Sequence, residues 1–250
     1  MNRYIAILLI MFIIHVKNYC YASDNRNIAS FTYHALSSED SYTIFENTYI
    51  RKISKKYSLL LKMYLDNREL WNNSIFYIGP IININANTYI EIDYGHGRDS
   101  DKNDSDYIFI EATKEYSDYL YGMSLKHGIL ENSYYDIFSL SGKYYLNKKL
   151  GLKGKYFLVR GSDKKYNHSI LSEAEYGIYK DLKVNGGLTV GDSLIDQEYF
   201  PQNDASFYSF FAGANYQYLE KYQFKYILEK LFQKNDINDT KHSFVIDIIF

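Results

Sequence analysis

From Ala205 to Leu219 alternate residues separate into two chemically different rows. Tyr208, Phe210, Ala212, Ala214, Tyr216 and Tyr218 fall on one, and Ser209, Phe211, Gly213, Asn215 and Gln217 on the other. A period of two marks a β-strand, whose successive side chains point to opposite faces. The same division recurs at Leu150, Leu152, Gly154, Tyr156 and Leu158 against Gly151, Lys153, Lys155 and Phe157. It recurs again at Ile170, Ala174, Tyr176 and Ile178 against Glu173, Glu175 and Gly177. Beyond the N-terminal apolar run no stretch carries a useful helical stripe, so the chain is expected to be all-β.

About fourteen such stretches, each of roughly ten residues, follow one another. They are Ile28 to Ala35, Tyr42 to Arg51, Tyr57 to Asp66, Asn73 to Ile82, Thr88 to Gly95, Asp106 to Thr113 and Tyr119 to Lys126. The remainder are Tyr134 to Leu146, Leu150 to Arg160, Ser169 to Lys180, Leu182 to Gly191, Ser206 to Tyr218, Tyr222 to Phe232 and Ser243 to Phe250. The first stretch and the fourth, which holds Pro80, have the weakest patterns, and without them about twelve remain. Connections alternate between long and short. Arg98 to Ser105, Gly161 to His168, Asp192 to Asp204 and Gln233 to Thr240 are long and polar, whereas Lys52 to Lys56, Asn83 to Asn87, Asn147 to Lys149, Asp181 and Leu219 to Lys221 are tight. Counting back from the C-terminus puts every long loop on one side, the pattern of a transmembrane barrel with short periplasmic turns. The expected fold is a closed antiparallel transmembrane β-barrel of about 12 to 14 strands, with both ends of the chain in the periplasm.

Export is written at the N-terminus. Asn2 and Arg3 precede an apolar run from Tyr4 to Val16, and Cys20-Tyr21-Ala22 offers a small residue for cleavage. The run stops at Lys17, short of the roughly 20 apolar residues of a spanning helix. Residues 1–22 therefore read as a signal peptide and residues 23–250 as the barrel. Asn18 and Tyr19 suit a lipoprotein site poorly, so Cys20 is expected to leave with the signal. That excludes disulfides, thiolate metal sites and cysteine nucleophiles from the mature chain. Without Arg3 and Lys17 the 28 basic residues fall to 26 against 30 acidic ones, a mild acidity that argues against a nucleic-acid partner. The 29 Tyr and 15 Phe beside only 2 Pro suit paired strands.

The polar parity of each strand supplies the expected lumen. Glu91, Asp93, Glu111, Lys153, Lys155, Glu173, Glu175 and Glu229 are the leading inward candidates, joined by Glu46, Lys62, Lys126, Lys143, Lys183, Lys225 and Asp247. Lys153 and Lys155 are expected to face Glu173 and Glu175 on the next strand, because isolated charges in a confined space are costly. Inward Phe109, Tyr145 and Phe157 favour partial plugging.

At the C-terminus Phe244, Ile246, Ile248 and Phe250 share one face, with Ser243 and Asp247 on the other. This ending resembles the terminal strand of bacterial outer-membrane proteins, and the resemblance implies recognition by the barrel assembly machinery. The mature chain also resembles the YaiO-type outer-membrane barrels in its Tyr-rich stretches such as Tyr42 to Tyr49, the strand Tyr89 to Gly95 with its acidic loop, and the final strand. That family carries no established catalytic residues to this sequence, so the resemblance bears on fold, on the outer membrane as location and on lipid and lipopolysaccharide as surroundings.

No catalytic constellation stands out. His96-Gly97-Arg98-Asp99-Ser100-Asp101 places His, Asp and Ser together, but triad members usually come from separate elements. His127 and His168 have no evident partner, and Ser169, adjacent to His168, points to the opposite face of its strand. Asp99, Asp101, Asp104 and Asp106 could offer carboxylates to calcium, but the spacing is irregular and Lys102 interrupts it, so the cluster reads as solubilising charge and no metal or cofactor is expected. The leading expectation is a non-enzymatic channel or export port for small polar or saccharide-like solutes. The alternatives are a barrel enzyme acting on lipid or lipopolysaccharide near His96, and a structural or adhesive surface protein. Nothing in the sequence sets an oligomeric state.

Overall fold

The computed structural model describes residues 25–36, 41–67, 72–99, 103–131, 133–162, 165–192, 194–196, 200–202, 206–219, 221–233 and 238–250. The segment expected to be a signal peptide, residues 1–22, lies outside the described residues.

The alternating stretches all become strands. They are β1 (Arg26–Leu36), β2 (Tyr42–Lys52), β3 (Tyr57–Asn67), β4 (Asn72–Asn85), β5 (Thr88–Asp99), β6 (Asp104–Glu115), β7 (Tyr119–Leu130) and β8 (Ser133–Tyr145). After them come β9 (Leu150–Gly161), β10 (Tyr166–Tyr179), β11 (Leu182–Gly191), β12 (Leu194–Asp196), β13 (Phe200–Gln202), β14 (Phe207–Tyr218), β15 (Tyr222–Gln233) and β16 (Asn238–Ile249). Each barrel strand pairs antiparallel with its sequence neighbour, β11 passes directly to β14, and β16 returns to β1 to close the ring. Among the described residues the ring has fourteen strands, and β12 with β13 forms a separate short hairpin in the connection between β11 and β14. Closure leaves no free sheet edge to face lipid.

Both weak stretches are full members. β4 runs through Pro80, and its pairing with β3 continues past it at Leu59. The ladder to β5 skips instead from Ile78 opposite Tyr94 to Ile81 opposite Glu91, at the place where Pro80 has no N–H to give. Gly79 permits the close approach there: a Cβ at this position would lie 1.9 Å from the Ile92 carbonyl oxygen and 2.3 Å from Asp93 Oδ1.

The long loops are shorter than their polarity suggests. β5 and β6 extend to Asp99 and Asp104, β10 starts at Tyr166 and β16 at Asn238, so pairing continues past the apolar part of each strand. Polar residues on both faces hide a strand from a reading based on alternation, because hydrogen bonding between neighbours does not depend on side-chain polarity. All these connections share one end of the barrel, and the tight turns, with Asn25 and Phe250, occupy the other.

Side chains divide by parity around the whole ring. Outward rows such as Ile92 and Tyr94, Met123 and Leu125, Tyr208 and Phe210, or Phe244 and Ile246 are exposed large hydrophobics. So continuous an apolar surface is stable only against lipid, and aromatic pairs border it toward both ends: Tyr119 stacks on Tyr144 at 4.7 Å near the tight turns, and Tyr208 on Phe232 at 5.0 Å near the loops. The chain is thus a transmembrane β-barrel. Its apolar core lies inside the ring, where Tyr42, Ile44, Tyr64, Ile75, Tyr77, Tyr107, Tyr135, Ile137, Phe157 and Val159 pack together from β2 to β9.

Candidate functional site: the barrel lumen

All eight leading lumen candidates lie on the inward parity, and so do the seven others. Asp93, on the inward face of β5, is 1% exposed, whereas Ile92 and Tyr94 beside it face out. Phe109, Tyr145 and Phe157 also point inward, on β6, β8 and β9.

A cluster of both signs lines the wall from β8 to β11. Lys143 and Lys183 each reach the same Glu175 oxygen, at 3.2 and 3.1 Å, and Lys153 approaches Glu173 at 3.6 Å. Asn185 donates to Glu173 at 2.7 Å. With Lys225 from β15, Lys143, Lys153, Glu173 and Glu175 line a cavity of about 290 Å³. On β14 to β16, Ser209 donates to Glu229 at 2.6 Å and Lys241 approaches the same carboxylate at 3.8 Å.

One expected pairing is corrected. Lys153 does stand opposite Glu173, but Lys155 stands opposite Leu171 and Glu175 opposite Gly151. The register found here pairs Lys153 with Glu173, which leaves Lys155 two places to one side of that pair and Glu175 two places to the other. Lys155 lies over the Phe157 ring, 4.6 Å from its centre, and Glu175 takes its lysines from β8 and β11.

The acidic candidates occupy a different sector. Glu91 on β5 stands opposite Glu111 on β6, and the Thr113 hydroxyl donates to Glu111 at 3.1 Å. Lys62 from β3 lies 5.5 Å from the Tyr77 ring and 5.7 Å from Phe109. Toward the loop end, Tyr77, Tyr107 and Tyr135 surround buried Lys126, whose Nζ is 5.9, 4.9 and 5.8 Å from the three ring centres. Cation–π attraction lets the low-dielectric plug hold this ammonium, and the packed rings narrow that half of the lumen.

A buried inward His–Asp pair was missed. His34 Nδ1 is 2.7 Å from Asp239, both are buried, and Tyr42 stacks on the imidazole at 4.1 Å. Asp239 sits in a segment whose polarity reads as loop, although its parity relative to Asp247 already places it inward. The other histidines also have partners that spacing did not suggest: Asp136 for His127 and the Tyr156 hydroxyl for His168. Both rings point outward, whereas Ser169 points inward and is buried, as its adjacency to His168 requires. Asp106 accepts from Tyr94 at 2.5 Å and lies 3.0 Å from His96, and Asp104 is 3.3 Å from Arg98, all on the outer face. Asp101 lies outside the described residues. Among the described residues no group of three or more acidic or histidine side chains is arranged to hold a metal ion.

On the C-terminal strand, Phe244 and Ile246 face lipid, Ile248 is covered on the same face, and Asp247 points inward. Phe250 follows the strand, and its N–H donates to the Asn25 carbonyl at 2.7 Å, beside the seam between β16 and β1.

These features define the class: a bacterial outer-membrane β-barrel fold with a polar lumen partly closed by aromatic packing. No known protein family matches the sequence, and no curated protein matches it. Solved structures do match in fold. A monoaromatic hydrocarbon channel, CymD, superposes with a TM-score of 0.66 at 8% identity, covering 91% of this chain and 89% of its own. A Pseudomonas aeruginosa FadL homologue gives 0.64 at 8% identity, over 92% and 91%. A bacterial polysaccharide outer membrane secretin gives 0.58 at 7% identity, over 91% and 99%. At such identities the likeness is one of fold.

Proposed function

We propose that this protein is an outer-membrane channel or export port for small polar or saccharide-like solutes. The observation that carries the reading is the cavity bounded by Lys143, Lys153, Glu173, Glu175 and Lys225, which sets hydrogen-bonding groups of both signs on the lumen wall. Hydroxyl-rich solutes suit such a lining, because each hydroxyl both donates and accepts. CymD and the polysaccharide secretin lend support as folds that form outer-membrane passages.

The YaiO-type resemblance belongs to the same reading, as does the proposal that Phe244, Ile246, Ile248 and Phe250 present the assembly machinery with its signal. Lipid and lipopolysaccharide are the partners this location implies. The test is planar-bilayer recording from the refolded chain. Discrete conductance steps, reduced by millimolar oligosaccharide, are the expected result. A barrel that inserts and never conducts would overturn the reading.

A further inference from the structure

Lys225, half-buried on the inward face of β15, shares the 290 Å³ cavity with side chains of β8, β9 and β10. In the ring β11 and β14 separate it from β10, and neither of those two strands lines the cavity. The lysine therefore reaches over its neighbours across the concave inner wall. Every residue around the cavity belongs to a described strand, and Lys143 and Gly151 place it toward the tight turns, away from the long connections.

The charges that act most on Lys225 are those of Glu173, Lys153, Glu175 and Lys143. Both carboxylates are already engaged. Glu175 holds Lys143 at 3.2 Å and Lys183 at 3.1 Å, while Glu173 holds Lys153 at 3.6 Å and accepts from Asn185 at 2.7 Å. Among the described residues no carboxylate lies within ion-pairing distance of Lys225. Lys143, Lys153, Lys183 and Lys225 thus face only Glu173 and Glu175, an excess of two positive charges. The acidic sector of Glu91, Asp93 and Glu111 lies on β5 and β6 and lines no part of this cavity.

An ammonium confined without a counter-charge is costly, and a bound anion removes that cost through charge-assisted hydrogen bonds. The same wall limits which anion fits. Lys225 supplies one unengaged ammonium, and Glu173 and Glu175 in the lining repel a group that carries more than one negative charge. A phosphate monoester carries more than one at pH 7, whereas a carboxylate carries one. No arginine lines the cavity to offer the planar fork that suits phosphate. Hydroxyl groups suit the rest of the lining, because an ionised carboxylate has about four lone-pair sites and Glu173 and Glu175 retain acceptor capacity beside their lysines. At about 290 Å³ the space stands at the lower bound of small-molecule pockets, so the unit held there is small.

We propose that this cavity is a subsite for a sugar acid, a small hydroxyl-rich unit bearing one carboxylate, and that Lys225 is the residue that binds the carboxylate. The inference rests on the reading of the lumen as a passage for saccharide-like solutes and narrows those solutes to acidic ones.

Saturation-transfer NMR on the refolded chain, in zwitterionic micelles at low ionic strength, measures binding of glucuronate, its methyl ester, glucose and glucose 6-phosphate. Glucuronate is expected to bind about tenfold more tightly than glucose or the ester, the ratio that one hydrogen bond to a charged group supports. Glucose 6-phosphate should bind more weakly than glucuronate. Lys225→Met, shown to be folded by its gel migration before boiling, should bring glucuronate down to the level of glucose. Glu173→Gln removes a competing negative charge and should tighten glucuronate binding, a gain that misfolding would not produce. Equal binding of glucuronate and glucose, undiminished glucuronate binding in Lys225→Met, no gain in Glu173→Gln, or tighter binding of glucose 6-phosphate than of glucuronate would each overturn the proposal. Planar-bilayer recording separates the subsite from the passage. A barrel that conducts but does not prefer glucuronate sinks the subsite alone, and one that binds glucuronate but never conducts sinks the passage alone.

Discussion

Arg26, the first residue of β1, donates from Nε to both oxygens of Asp247 on β16, at 2.8 and 3.0 Å, with a further contact from Nη2, across 221 residues of chain. This pair lies on the inward side of the seam that closes the ring, where Thr32 donates to Ser243 and His34 meets Asp239. Fixing the last strand to the first by side chains as well as backbone resists the one opening a closed barrel can suffer without losing a whole strand.

The two halves of this pair are not equivalent. Asp247 is 7% exposed and Arg26 45%. Arg26→Met strands a buried carboxylate, whereas Asp247→Asn leaves a guanidinium that water can reach. The first is expected to cost about 2 kcal/mol and the second nearer 1 kcal/mol, given the solvent screening of Arg26. Urea titration of the refolded chain, followed by gel migration without boiling, measures both, and equal midpoints would count against the asymmetry.

Glycines in the wall differ sharply in what they tolerate. Gly79→Ala would drive a methyl into the backbone of β5, and is expected to abolish the compact band that precedes boiling. Gly154→Ala, on the lipid face, meets nothing closer than 3.9 Å and should refold normally. Two variants with the same gel behaviour would contradict this account of the β4–β5 approach.

Glu175 holds two lysines at once. Glu175→Gln leaves Lys143 and Lys183 without their carboxylate and shifts the balance of the cavity toward positive charge. On the proposed conduction, anion selectivity should rise, read as a displaced reversal potential under a salt gradient. An unmoved potential would place the conduction path away from this wall.

The tyrosine plug makes the opposite kind of prediction. Tyr107 is 1% exposed, with Tyr77 and Tyr135 at 5.9 and 6.5 Å between ring centres. Tyr107→Ala should lower stability by about 3–5 kcal/mol and enlarge single-channel conductance. A loss of stability with unchanged conductance would make the plug purely structural.

Parity is local, and it was legible along the apolar part of each strand: knowing that Tyr208 faces lipid requires only its neighbours Ser209 and Phe210, and the same reasoning put Glu91, Glu173 and Lys225 inside. Local patterning failed where both faces are polar, as at Asp239 and His96 near the loops, since pairing there rests on backbone bonds that side chains do not advertise. The sequence by itself determined an all-β chain with an apolar outside and a charged inside, because alternation over some ten residues admits no other partition between lipid and lumen. Tertiary structure alone decided that Lys153 meets Glu173 while Lys155 does not, that Lys126 sits among three tyrosines, and that Arg26 reaches Asp247. Each of those depends on register and ring closure between distant strands, quantities to which a period of two is blind.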